Sequence, residues 1–282
     1  MRRRWTIAWQ IAPAAIFYAF AFLTPLVILL TYSVWKASGF EIIRSFTLDN
    51  YLNPATSALY RAVFIRTIGV GLAVAAIVVP ISYVLAYLLR FVFERRGAVI
   101  LDIILISMFS GYLVRIYAWR TILGREGLLN EGLSQLGIID EPLTFLVYSN
   151  FATVITLVGM LIPLAVLPIY SSMANVSRDH LDGAADLGAR GIRLHRTIVV
   201  PMVLPGLSTA FAIAFILSAG DFVVPQLVGG TGGLLAGNLV ADQFRGLGTN
   251  WPLGAAIAFL ILASVIAVYL LVTRLIRWIT TW

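Results

Sequence analysis

Residues 151–174 read FATVITLVGMLIPLAVLPIYSSMA, an apolar run without one charged side chain. A helix rises 1.5 Å per residue, so about 20 apolar residues cross a hydrocarbon core about 30 Å thick. A helix apolar on every side has no face to give to water. The run therefore predicts a membrane span. Pro163 and Pro168 lie inside it. In a bilayer such breaks are tolerated where neighbouring helices satisfy the freed carbonyls. Kinking for packing explains them, and lining a pathway is the sharper alternative.

Working outward, five more runs have this character: Ile7–Trp35, Thr67–Leu89, Ala98–Leu123, Leu204–Val228 and Leu253–Leu275. The first follows Arg2, Arg3 and Arg4, but it is too long for a signal peptide and no small-residue cleavage site follows it. The composition agrees: 60% of the residues are hydrophobic and 12% charged, against about 45–50% and about 25% in soluble domains. One core cannot hide that much apolar surface. The expected fold class is all-α, a polytopic membrane protein of six transmembrane helices, with residues 1–282 forming one transmembrane domain.

The 20 Lys and Arg residues divide as twelve, five and three. With a cytoplasmic N-terminus, twelve fall on inside segments, five on outside loops and three (Arg66, Arg115, Arg120) at or inside span ends. The positive-inside bias then places both termini in the cytoplasm. The net charge of +7 is read as topology and not as a nucleic-acid surface. All seven tryptophans fall near predicted span ends, where indole prefers the headgroup region.

Several chemistries are excluded. There is no cysteine, and the only histidines are His180 and His195, so no thiolate or histidine-cluster metal site is expected. The only lysine, Lys36, sits between Trp35 and Ala37, so no phosphate-cradling Gly-Lys-Ser/Thr loop exists. No nucleophile–base constellation stands out. The chain is expected to hydrolyse no ATP and to carry no cofactor itself. No internal repeat supports an inverted-repeat secondary transporter.

The longest inside connection, residues 175–200, reads NVSRDHLDGAADLGARGIRLHRTIVV. Ala184, Ala185, Leu187 and Ala189 favour a short helix, Ser177 is placed to cap it, and Gly188 and Gly191 end or bend it. A short helix joined by glycine to a second makes a projecting knob. Docking to a partner protein is one reason for a connecting loop to build one.

This segment resembles the conserved cytoplasmic loop of ABC importer permeases, with the pattern EAA, three residues, Gly, nine residues, Ile-x-Leu-Pro. The matching positions are Asp182, Gly183, Ala184, Gly188, Ile198 and Pro201, with the spacing complete; Asp stands for Glu, Gly for Ala at 183, and Val200 for Leu. Residues 115–142, residues 234–256 and the FTLDNY of Phe46–Tyr51 are similar to permeases of spermidine/putrescine systems. The resemblance implies a type I ABC importer permease fold in a bacterial inner membrane. It implies that the loop is a coupling helix seated on an ATP-binding subunit. It also implies partners: a second homologous permease, two ATP-binding subunits that hold ATP and Mg, a periplasmic solute-binding protein and the surrounding membrane lipid. The expected cargo is a polyamine. Another small solute such as an amino acid or opine is the alternative, and an ion-coupled secondary transporter a more distant one.

Ionisable groups at membrane depth need a reason. Asp221, in ILSAGDFVVPQLVGG, is the first candidate for the solute path, where a carboxylate would attract ammonium groups. Pairing with Arg115 and capping of a broken helix are alternatives, and Pro225 is expected to break the span. Tyr112, Tyr117 and Trp119 are candidate cation–π faces, with packing as the other reading. Arg115 is expected to point away from an open cavity if the solute is cationic.

Overall fold

The computed structural model of the protein describes residues 2–39, 41–245 and 249–280. Five helices are long and apolar enough to cross a membrane, and a bent pair makes a sixth if it counts as one crossing. The chain forms two compact units, Met1–Arg61 with Leu239–Ala263, and Ala62–Asn238 with Ser264–Trp282.

The first unit begins with α1 (Arg2–Ser33). Ile16, Phe17, Phe20 and Phe22 on it are all more than half exposed. A helix with so many uncovered apolar side chains is stable only against hydrocarbon or another apolar surface. A hairpin of β1 (Trp35–Ser38) and β2 (Glu41–Phe46) follows, antiparallel, with Ala37 opposite Ile42 and an irregularity after Trp35. An all-helical reading misses it, because four residues are too few for a period-two pattern to show. Asn50, in α2 (Asp49–Thr56), closes its base by donating to the carbonyls of Ser33 at 3.0 Å and Trp35 at 2.8 Å. Tyr51 donates to Ser33 Oγ at 2.7 Å. In the same unit Trp251 stacks obliquely on Tyr32 and Phe244.

The second unit carries most of α3 (Ala58–Tyr87), then α4 (Gly97–Ile106), α5 (Tyr112–Leu123), α6 (Leu128–Gln135) and α7 (Asn150–Ser172). After these come α8 (Arg178–Asp186), α9 (Ile192–Leu194), α10 (Val200–Gly220) and α11 (Val223–Val228). Like α3, two further helices are shared with the first unit: α12 (Ala236–Arg245) and α13 (Trp251–Thr280).

Helices α7 and α10 form the main pairing. In a bilayer, lipid tails are as apolar as leucine, so helices associate by close packing and interhelical hydrogen bonds. Small residues make that approach. A side chain at Gly206 would run into Ser172 and the Pro168 carbonyl, and one at Gly71 would meet the Phe215 ring at 3.0 Å. Phe215 is fully buried and stacks on Phe211 at 5.6 Å.

Two spans are interrupted: the third, expected to be continuous, is bent, and the fifth breaks as expected but ahead of Pro225. The run read as 98–123 is bent by 96° between Gly97–Phe109 and Tyr112–Gln135. Ser107 Oγ donates to the Ile104 carbonyl and Ser110 Oγ to the Ser107 carbonyl, while Ser110 and Gly111 are extended at ψ 138° and 141°. Serine hydroxyls compete for backbone acceptors and so allow the helix to end there. The run read as 204–228 breaks at Asp221 and Phe222, ahead of Pro225. Pro225 lies in the first turn of α11, where its missing N–H costs nothing.

Candidate functional site

The break after α10 is built by Asp221. Its Oδ1 accepts the backbone N–H groups of Val223 at 2.8 Å and Val224 at 3.0 Å, capping α11. Its Oδ2 accepts the hydroxyl of Tyr112, the first residue of α5. From the other side Asn238 Nδ2 donates to the Phe222 carbonyl at 2.7 Å, while its Oδ1 accepts the Leu235 N–H at 3.0 Å. Thr67 Oγ1 accepts the Ala236 N–H at 2.8 Å and donates to the Val63 carbonyl. The irregular backbone is thus satisfied internally, as membrane depth demands.

Beside the break lies a cavity of about 430 Å³, within the range of small-molecule sites. Helix α7 contributes Leu157, Met160, Leu161 and Leu164, the end of α10 Ile216 and Leu217, and α5 Tyr112 and Arg115. Asp221 lines it too. The wall is otherwise apolar, so the three polar side chains carry its chemistry. Arg115 does face this cavity, and its Nε is buried with no hydrogen-bond partner among the described residues.

The structure brings together Tyr112 and Asp221 and leaves the other two aromatic candidates apart. Trp119 packs on α7 so closely that a side chain at Gly159 would overlap its indole. Tyr117 is about half exposed and does not line the cavity. Arg120 is held by Tyr148, donating to its hydroxyl at 2.7 Å and lying 5.6 Å from the ring centre.

The knob at 175–200 has a defined geometry. Ser177 caps α8 by accepting the His180 N–H, and His180 Nδ1 accepts the Ser177 N–H at 3.2 Å, a reciprocal capping box. At the other end Ala189 N–H donates to the Ala184 carbonyl at 2.8 Å, and Gly188 N–H to that of Ala185 at 2.9 Å. This is a Schellman ending, which needs a left-handed residue at its pivot. Gly188 occupies it at φ +82°. Asp182, Gly183 and Gly188 are exposed, while Ala184 is buried. Leu187 and Ile192 are exposed to 89% and 80%, so the knob presents two large apolar side chains outward. Ile198 sits in a π turn, His195–Val199, and Pro201 in the first turn of α10. Both belong to the knob's root.

Sequence reasoning missed three features. Asn238 carried only a weak signal, a polar residue at the third position of a helix. The contact of His195 with Tyr83, 2.5 Å from Nδ1 to the hydroxyl, joins residues 112 positions apart and leaves no local pattern. The facing of Arg115 into the cavity depends on the bend at Gly111.

Comparison with known proteins places the chain. It is 30% identical to the spermidine/putrescine transport system permease protein PotB of Salmonella typhimurium, over 92% of this chain and 90% of that protein. Identity to the PotB of Escherichia coli K12 is also 30%, over 92% and 94%. A putative 2-aminoethylphosphonate transport system permease protein, PhnU of Salmonella typhi, is 25% identical over 41% of this chain and 40% of its own. Among solved structures, a chain of the bacterial alginate ABC transporter in complex with alginate pentasaccharide-bound periplasmic protein superposes with a TM-score of 0.74. It is 15% identical and covers 99% of this chain and 96% of its own, a likeness of fold. Residues 55–281 match the binding-protein-dependent transport system inner membrane component family, and the chain belongs to it.

Proposed function

We propose that this chain is the path-forming permease subunit of an ATP-driven importer for a small amine-bearing solute, the spermidine and putrescine class first of all. It pairs with a second, homologous permease. Two ATP-binding subunits, which hold ATP and Mg, dock on the knobs, and a periplasmic binding protein delivers the solute. Both termini lie on the cytoplasmic side, as the arginine distribution favours. The polyamine class rests on the similarity to PotB over nearly the whole chain.

The observation that carries the coupling role is the knob itself. A helix closed at both ends by a capping box and a Schellman turn, with Leu187 and Ile192 outward, is a rigid apolar plug of the kind a groove takes up. Coupling requires the ATP-binding subunits to hold it differently in their two states, since equal affinity for both shifts nothing. Closure around ATP then moves α10, which continues from the knob's root, and with it the Asp221 break.

The test is solute-stimulated ATP turnover by the assembled transporter in lipid, with its binding protein. Wild type should respond to its solute, and Gly188→Trp should abolish the response while the chain still inserts. Normal transport by that variant would sink the assignment.

A further inference from the structure

Two candidate spans end beside each other near the root of the knob. One, Ala58–Val92, closes in the π turn Leu88–Val92, and the other, Asn150–Asn175, stops just ahead of α8. Residues from both ends line a separate cavity of about 330 Å³: Arg90, Phe91, Val176, Ser177 and Arg178. Where apolar spans end, the headgroup region of a bilayer begins. Two guanidinium groups line this space, and no carboxylate does among the described residues. The planar fork of arginine matches two phosphate oxygens at once. Arg178 is also the first residue of α8, and the N-terminal end of a helix favours negative charge. Asp179, in the same turn, is not part of the wall. The surroundings of Arg90 are apolar. Phe91 packs on Tyr87 with ring centres 5.0 Å apart, and Val92 and Phe93 are exposed to 59% and 44%. A soluble phosphate has no use for that surface, whereas an acyl chain covers it.

We propose that this cavity holds the phosphate headgroup of an anionic membrane phospholipid of the phosphatidylglycerol kind. Arg90 and Arg178 donate to the phosphate oxygens, and the acyl chains run into the bilayer along Val92 and Phe93. The inference rests on the permease reading for its membrane placement, which puts these arginines on the cytoplasmic side, where basic pockets between spans take up anionic headgroups. It makes no demand on the transported solute. The bound lipid joins the end of α3 to the first turn of α8, and so ties the root of the knob to the membrane.

The test counts lipid kept by the complete transporter. It is placed in phosphatidylcholine nanodiscs with a graded fraction of phosphatidylglycerol, and retained lipid is measured by native mass spectrometry. Wild type should retain phosphatidylglycerol in preference to phosphatidylcholine. The double variant Arg90→Gln with Arg178→Gln should need an about 10- to 100-fold higher phosphatidylglycerol fraction for the same retention, the loss of charge-assisted hydrogen bonds. Arg90→Lys with Arg178→Lys keeps the charge that sets membrane orientation but loses the fork, and should fall between. Arg95→Gln with Arg96→Gln removes equal charge nearby, outside the cavity wall, and should leave retention unchanged. Unchanged retention in the Arg90 and Arg178 pair overturns the inference. An equal loss in both glutamine pairs reduces the binding to general surface charge and overturns it too. Displacement of the lipid by millimolar inorganic phosphate makes the ligand a soluble phosphate and overturns the lipid assignment. Solute-stimulated ATP turnover of the same preparations reads the permease function separately. Normal turnover without a lipid preference defeats this inference alone, and lipid retention without any solute response defeats the permease reading alone.

Discussion

His195 at the root of the knob lies with its Nδ1 2.5 Å from the hydroxyl of Tyr83 on α3, and its ring meets that of Tyr87 edge-on at 4.7 Å. Each partner adjoins a π turn, Leu88–Val92 after Tyr87 and His195–Val199 itself. Such turns interrupt the regular helical ladder and often mark functional positions. The knob is therefore tied to a second span as well as to α10. Tyr83→Phe removes the hydrogen bond and keeps the ring contacts, at a cost of about 1 kcal/mol. The expected result is a lower number of solute molecules moved per ATP hydrolysed, with near-normal ATP turnover. Simultaneous uptake and phosphate-release assays measure that ratio; an unchanged ratio removes Tyr83 from the coupling route.

Two glycines of the knob, one inside α8 and one just past its end, should behave oppositely. Gly188 is held at φ +82°, a conformation that costs an L-residue about 1–2 kcal/mol. Gly188→Ala should loosen the Schellman turn and speed hydrogen exchange at the Gly188 and Ala189 amides. Gly183 is in the helix, with nothing within 4 Å of an added methyl. Gly183→Ala should stabilise α8 by about 0.5–1 kcal/mol and slow exchange there. Equal responses from both would contradict the assigned geometry.

The contrast shows what the sequence made legible. The spans could be read because 20 apolar residues have one economical destination, and the knob because Ser177, Gly188 and Gly191 punctuate it chemically. The bend in the third span was hidden. Ser107, Ser110 and Gly111 are ordinary inside a membrane helix, and only their backbone bonds reveal the bend. A break in the fifth span was legible, but Pro225 looked like its cause; Asp221 makes it by accepting from Val223 and Val224, the capping role that stood as one of its alternatives. The hairpin after α1 was hidden as the bend was: Asn50 and Tyr51 fix it through contacts 15 to 18 residues away.

Asn238 should matter as much as Asp221 to the break. It holds both the Phe222 carbonyl and the Leu235 N–H, and it is buried at 4% exposure. Asn238→Ala leaves the buried Leu235 N–H without its acceptor, worth about 1–3 kcal/mol. It also removes one of the two bonds to the Phe222 carbonyl, which also accepts the Gln226 N–H at 3.3 Å. Thermal denaturation of the purified transporter in detergent should show a lower midpoint. Asn238→Asp keeps the acceptor for Leu235 and loses the donor to Phe222, so it should fall between. A wild-type midpoint in Asn238→Ala would show that the break is held by Asp221 alone.

Trp119 offers a test between packing and solute contact. Its indole fills the space above Gly159, where even a methyl group would overlap it. Gly159→Ala should therefore destabilise by about 1–3 kcal/mol through overpacking. In the Trp119→Phe background, which shortens the ring, most of that loss should disappear, because neighbouring changes of this kind are not additive. Trp119→Phe by itself should leave the order of preference among transported solutes unchanged, since the indole is not part of the cavity wall. The four variants of this cycle, compared by thermal midpoint and by rates for two solutes, separate the roles. A coupling energy near zero would remove the Gly159 contact, and a reversal of solute preference in Trp119→Phe would return the residue to the path.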